Sequence, residues 1–281
     1  MKKILTILLA GATLFLNAQE RCGTTAITEK MMLENPEYAN ARSKVNQQTE
    51  KWIENHPNHS EKTIITIPVV VHVLYSNNNQ NISDAQILSQ IDVLNEDFRR
   101  TNVDAINTPS IWQSIAADSE IEFCMASTDP NGQPTDGIDR VQTTHGAFGM
   151  NSDVHSTSAG GADDWPNDDY LNIWVCNIEP GLLGYATPPS SWTGDGDGLV
   201  IGYQYFGRIG TVQSPYNKGR TATHEIGHWL NLDHVWGGGW SSCGDDNVSD
   251  TPTQEQENYS CPGYPHNPNS CSTTNPDGDM F

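Results

Sequence analysis

The 281-residue chain is long enough for one large domain or two small ones. Its formal net charge of −21 excludes nucleic acid and an anionic membrane surface as partners, because both demand a cationic face. A hydrophobic content of 36%, with 24 Gly and 16 Pro, describes a chain that folds but is rich in loops.

Lys2 and Lys3 precede an apolar run from Ile4 to Leu16, and Asn17-Ala18-Gln19 follows as a cleavage region. This is the pattern of a secretory leader, expected over 1–18. A run of thirteen residues is too short for a membrane anchor, which needs about 20. The expected location is therefore extracellular. In an oxidising compartment the six cysteines should mostly pair. None lies in a CxxC spacing, which leaves a Cys-rich zinc site without support.

Residues 19–62 are polar and helix-leaning, with room for one or two helices between Glu29 and Glu54, and read as a pro-segment. The character changes at Thr63, where a main domain over 63–281 is expected to begin. Ile64 to Tyr75 is nearly all β-formers and predicts a buried strand with Pro68 near its start. Ser83 and Gln86 form a capping-box pair, and Ile87, Ile91, Leu94 and Phe98 give the helix after them one apolar face. Further strands are expected at Glu120–Ala126, Tyr170–Ile178 and Leu199–Tyr205, and a second helix around 220–232. Strands alternating with helices describe an α/β domain.

The segment His224-Glu225-Ile226-Gly227-His228-Trp229-Leu230-Asn231-Leu232-Asp233-His234 carries the chemistry. Imidazoles four residues apart share one helix face and can chelate Zn²⁺. Glu225, beside the first of them, can take a proton from an attacking water and pass it to a leaving amine. His234 reaches the same metal only if the helix stops and the chain turns, and Asn231 is a residue that tolerates the left-handed conformation such a turn needs. Chance would give HExxH in about 1% of chains of this composition, and adding the third histidine lowers this to about one in two thousand. Three protein ligands leave a position for water, as catalysis requires, whereas a structural site would be closed by a fourth side chain. Two other readings are a gluzincin-like peptidase, whose third ligand would be a distant Glu, and a non-catalytic zinc- and calcium-containing extracellular binding module.

This motif resembles the extended zinc motif of the metzincins, and its surroundings resemble the pappalysin family. The resemblance is carried by Ile67–Tyr75, Leu171-Asn172-Ile173-Trp174-Val175, Gly181-Leu182-Leu183-Gly184-Tyr185-Ala186 and residues 243–252. It implies a metzincin-like zincin catalytic domain with a twisted mixed β-sheet, an active-site helix and a loop-rich C-terminal subdomain. It implies a secreted zinc endopeptidase acting on proteins or peptides. In that reading His224, His228 and His234 ligate zinc, Glu225 is the general base, and Gly184, Tyr185 and Ala186 form the strand that pairs with substrate. The family more often has Gly at the position of Asn231. The stretch ending at Phe281 resembles the one before the family's Met-containing turn, so the resemblance implies a chain incomplete at its C-terminus. It further implies a Cys243–Cys271 disulfide, with the partner of Cys261 past the end.

Asp245, Val248, Asp250 and Thr251 are expected to bind Ca²⁺, because hard oxygen ligands at close spacing suit that ion and the family binds calcium there. Cys22, in the pro-segment, is expected to be a latency switch, its thiolate holding the position meant for water. That leaves Cys124 to pair with Cys176.

Overall fold

The computed structural model describes residues 21–56, 63–110, 112–190, 196–237 and, toward the end of the chain, 243, 244, 246–248, 251, 253, 254, 257 and 271. The leader, the boundary at 61–62, Asp245, Asp250 and Cys261 lie outside them. Among the described residues no helix is long and apolar enough to cross a membrane.

Two helices open the chain, α1 (Thr24–Glu34) and α2 (Pro36–Asn55). They are separate because Asn35 caps the second, its side chain accepting from the amides of Glu37 and Tyr38, while Pro36 takes the first helical position, where no amide is needed. The segment is less detached than its polar composition suggests: Tyr38, Ala41 and Arg42 of α2 are buried.

The domain that follows is one sheet with helices on one face. Its strands are β1 (Ile65–Tyr75), β2 (Ile121–Met125), β3 (Ile138–Gln142), β4 (Leu171–Cys176), β5 (Gly184–Ala186) and β6 (Gly198–Gly202). The order is β2-β1-β4-β6-β5, with β3 also on β1, and every pairing is parallel except β5 with β6. β1 is central, yet it contains Pro68. On β1 the amides of Ile65 and Val71 point toward β2 and β3, so even-numbered residues turn theirs toward β4. Pairing with β4 begins only at Val69, and the amide that Pro68 lacks has no partner to lose.

Odd-numbered side chains of β1 meet α3 (Asp84–Phe98) and α4 (Arg220–Trp229) in the main core, with Val69, Val71, Val73, Ile173, Leu199, Ile201, Ala222 and Ile226 all buried. Burying each of the Val, Leu and Ile side chains among them stabilises the fold by roughly 1.5–3 kcal/mol. The predicted face of α3 is the one that packs here, though the capping box is only half made. Ser83 caps the Gln86 amide, but the Gln86 side chain is buried and binds the carbonyls of Tyr203 and Phe206 in the loop before α4.

The expected Cys124–Cys176 disulfide does not form; both thiols are free. β2 and β4 flank β1 on opposite sides, and Cys124 is level with Pro68 while Cys176 lies past the Val73–Val175 pair. Six steps of ~3.3 Å along the strands place them far outside the ~7 Å limit for bridged Cα atoms. Cys243 and Cys271 are joined by a disulfide.

On the other sheet face, His72 is buried between Asp139 and Asn172, 3.0 Å from each, and stacks on Trp174. His155 meets the same indole edge-on at 4.3 Å and leaves its Nδ1 buried without a hydrogen-bond partner among the described residues. Desolvation, then the nearby His72, lowers the His155 pKa to about 4. The folded state therefore favours neutral His155, a contribution present above the usual imidazole pKa and lost as pH falls toward 4. That loss is worth about 3 kcal/mol. Relative to the parent chain, His155→Phe should gain thermal stability progressively between pH 6.5 and 4, read from unfolding midpoints across that range.

Candidate metal centre

α4 starts at Gly219, whose φ of +74° lets the chain enter the helix and whose carbonyl accepts from the buried Gln90 side chain of α3 at 3.0 Å. Asp97 of α3 accepts from Thr223 Oγ1 at 2.8 Å and pairs with Arg220 at 2.7 Å. The far end is held by Asp197, which accepts from Trp229 Nε1 at 2.7 Å. Desolvation raises the Asp197 pKa, against the lowering effect of that indole bond.

α4 ends in a Schellman arrangement. Asn231 stands at φ +76°, its amide donates to the His228 carbonyl, and the Leu232 amide donates to the Gly227 carbonyl, both at 2.9 Å. The turn directs the chain back along the helix, and His228 Nδ1 meets the Leu232 carbonyl at 2.7 Å. That bond fixes the proton on Nδ1 and leaves Nε2 of His228 a bare donor for a metal.

The three imidazoles converge. The Nε2 atoms are 3.1 Å apart for His224 and His228, 3.2 Å for His228 and His234, and 3.3 Å for His224 and His234. Nitrogens at about 2.0–2.1 Å from one tetrahedral centre are separated by about 3.3 Å, so the triangle fits a zinc ion. Desolvation lowers all three imidazole pKa values, to about 4 for His224 and about 2 for His234, with the neighbouring imidazoles adding to the effect in both. Neutral imidazole is the form that ligates. His234 also stacks on Trp236 at 4.3 Å.

The Cys22 sulfur completes the group: its Sγ and the three imidazole donors all lie within 4.8 Å of one another. Burial, then the adjacent Glu225 carboxylate, pushes the thiol pKa up. Glu225 is buried at 1% exposure, and its Oε2 is 3.5 Å from Cys22 Sγ. The same oxygen accepts from Thr24 Oγ1 at 2.8 Å, while Thr24 Oγ1 accepts from the Ala186 amide at 2.8 Å. Thr25 Oγ1 lies 3.3 Å from His234 Nδ1.

β5 runs over the metal group as the outermost strand of the sheet. Residues 21–23 lie along it in parallel: Leu183 N donates to the Arg21 carbonyl at 2.8 Å and Gly23 N to the Gly184 carbonyl at 2.9 Å. Gly184 is required where β5 crosses α4, because a Cβ there would meet the Val200 carbonyl at 2.8 Å and Glu225 Cγ at 3.3 Å.

All of the sequence-predicted residues that bear on zinc are thus brought to one place. Of the calcium group, Val248 and Thr251 are described: the Thr251 amide donates to the Val248 carbonyl, and Val248 N to Asp246 Oδ1, both at 3.1 Å. Thr24, Thr25, Gln90 and Asp197 were not anticipated, and only Thr24 and Thr25 carried a signal, their adjacency to Cys22.

A helix presenting two imidazoles and a carboxylate beneath an edge strand, with a left-handed turn returning a third imidazole, defines a metzincin-type peptidase domain. Residues 155–274 match the family profile described as Pregnancy-associated plasma protein-A. Mature mirolysin of Tannerella forsythia, solved in complex with a cleaved peptide, is 52% identical with a TM-score of 0.76, over 79% of this chain and 83% of that one. A promirolysin mutant from the same organism is 46% identical with a TM-score of 0.79, over 93% of this chain and 85% of that one. An extracellular metalloprotease of Arthroderma otae is 30% identical over 207 residues, 70% of this chain; the chain spans 63% of that relative's length. The chain belongs to the pappalysin family of metallopeptidases.

Gly184→Ala should destabilise the fold by about 1–3 kcal/mol through this overpacking. It should also displace Glu225, seen as a changed ligand-field spectrum in the cobalt-loaded chain.

Proposed function

We propose that this chain is the latent form of a secreted zinc endopeptidase that hydrolyses peptide bonds in proteins. His224, His228 and His234 would hold the zinc, and the observation that carries the reading is their nitrogen triangle of 3.1–3.3 Å. Zinc, when bound, supplies Lewis-acid polarisation of a peptide carbonyl and acidifies water. Glu225 accepts a proton on Oε2 and delivers it to the leaving amine, from its place on α4 beside His224. The main-chain groups of Gly184, Tyr185 and Ala186 orient an extended substrate, using the Gly184 carbonyl and Ala186 amide that Gly23 and Thr24 now occupy.

Latency follows from the same geometry. Cys22 closes the metal group with a fourth ligand, and Thr24 holds the Glu225 oxygen that would take the proton. Residues 19–62 are the pro-segment in this reading, supported by the wider coverage of the promirolysin match, 93% of this chain against 79% for mature mirolysin. Export is supported by the leader pattern at 1–18 and by the extracellular designation of the fungal relative. Calcium at Asp245, Val248, Asp250 and Thr251 is supported by ligand type alone.

Metal analysis of the purified chain should find one zinc, retained in Glu225→Ala and lost from His234→Ala at chelator concentrations the parent survives. Hydrolysis of a denatured protein by the processed form should fall at least about 10²-fold in Glu225→Ala; full activity in that variant would sink the mechanism. Cys22→Ala should cleave the same substrate before processing, where the parent chain does not.

A further inference from the structure

The turn after α4 carries a side chain that its backbone does not need. Glycine adopts a φ of +76° without cost, and the closing bonds of the turn are made by main-chain atoms. The Asn231 amide faces α2 instead. Its Oδ1 accepts from Arg42 Nη1 at 2.5 Å, and its Nδ2 donates to Asn46 Oδ1 at 3.1 Å. The same Arg42 nitrogen donates to the Pro189 carbonyl at 2.8 Å. Tyr38, Arg42 and Asn46 recur every four residues and so share one face of α2. Tyr38 is fully buried and Arg42 nearly so. A guanidinium is costly to bury unless its donors are satisfied, and here the acceptors come from two separate segments, the loop after β5 and the turn after α4.

We infer that Asn231 and the Pro189 carbonyl form a docking surface for the Tyr38–Arg42–Asn46 face of α2, which retains the N-terminal segment on the domain independently of the Cys22 thiol. The inference rests on reading that segment as the latency element. Two attachment points on one segment act as linked sites. When the thiol leaves, the α2 contact shortens the tether between Cys22 and the metal group and so raises the effective concentration at which the thiol returns. Loss of the thiol alone therefore opens the metal group without freeing the segment.

The test uses the full chain with Glu225→Gln in every sample, to prevent self-cleavage, and reads hydrogen–deuterium exchange over 36–55 together with zinc content. Asn231→Gly keeps the left-handed turn and removes only the side chain; Arg42→Ala removes the partner. Both should speed exchange over 36–55 by about tenfold or more, the loss of a charge-assisted hydrogen bond, with zinc retained. Cys22→Ala should release residues 21–24 while 36–55 stays at the parent rate. Parent-like exchange in both α2-contact variants overturns the inference. So does loss of zinc in Asn231→Gly, or release of 36–55 by Cys22→Ala alone. The thiol reading is judged by a separate signal, the sulfur-to-metal charge-transfer band of the cobalt-loaded chain. Its absence defeats that reading while leaving the docking surface standing.

Discussion

Three imidazole nitrogens 3.1–3.3 Å apart cannot satisfy one another, and holding them there is the constraint that the surrounding structure serves. His228 cannot donate from Nε2, because its proton is committed to the Leu232 carbonyl. His228 Nε2 offers a single in-plane lone pair, so only one of the other two rings can donate to it, and the lowered pKa values of His224 and His234 oppose any relief by protonation. A divalent cation resolves the conflict by accepting all three lone pairs. The cost of keeping the triangle is met by fixing α4 at both ends: Gln90 and Asp97 hold its start, and Trp229 on Asp197 holds its finish. The Schellman turn then sets the direction of the chain toward His234.

The buried Glu225 poses the second electrostatic problem. A carboxylate at 1% exposure needs donors, and the N-terminal segment supplies them through Thr24 and Cys22. Thr24 is placed with little freedom, since the same oxygen takes the Ala186 amide on β5. One hydroxyl therefore joins the base to the edge strand. Gly23 is small for an equally local reason: a Cβ there would meet Met150 Sδ at 2.7 Å and Tyr185 Cβ at 3.2 Å. The N-terminal segment is shaped by contacts that span some 160 to 200 positions in sequence.

That separation explains what the sequence disclosed and what it withheld. The metal triad was legible because helix period and a turn-tolerant residue sit within eleven consecutive positions, from His224 to His234. β1, α3, β4 and β6 were legible because each carries an uninterrupted or periodic apolar pattern. β3 was missed: Ile138-Asp139-Arg140-Val141-Gln142 is polar and only half buried, and only its pairing with β1 makes it a strand. The Cys124–Cys176 pairing failed because counting cysteines carries no topology, and the strands that bear them lie on opposite sides of β1. Gln86 looked like a cap because Ser83 precedes it by three, yet tertiary acceptors at Tyr203 and Phe206 claimed its side chain. The buried face of α2 had no local signature at all, since an arginine among polar residues reads as solvated.

An unpaired sheet edge is ordinarily a liability, because its free amides and carbonyls will pair with any extended chain. Here β5 is the edge that crosses the metal group, and it is too short and too deeply set to recruit strands at random. The Gly184 carbonyl accepts from the Gly23 amide and the Ala186 amide donates to Thr24 Oγ1, so in the proposed reading substrate binding and silencing by the chain's own N-terminus draw on one set of atoms. It follows that a change to β5 which weakened self-inhibition by removing those groups would weaken substrate binding with it. In the proposed reading, latency can be tuned separately where the segment touches something substrate does not use, and the contacts of Arg42 and Asn46 on α2 with Asn231 are of that kind.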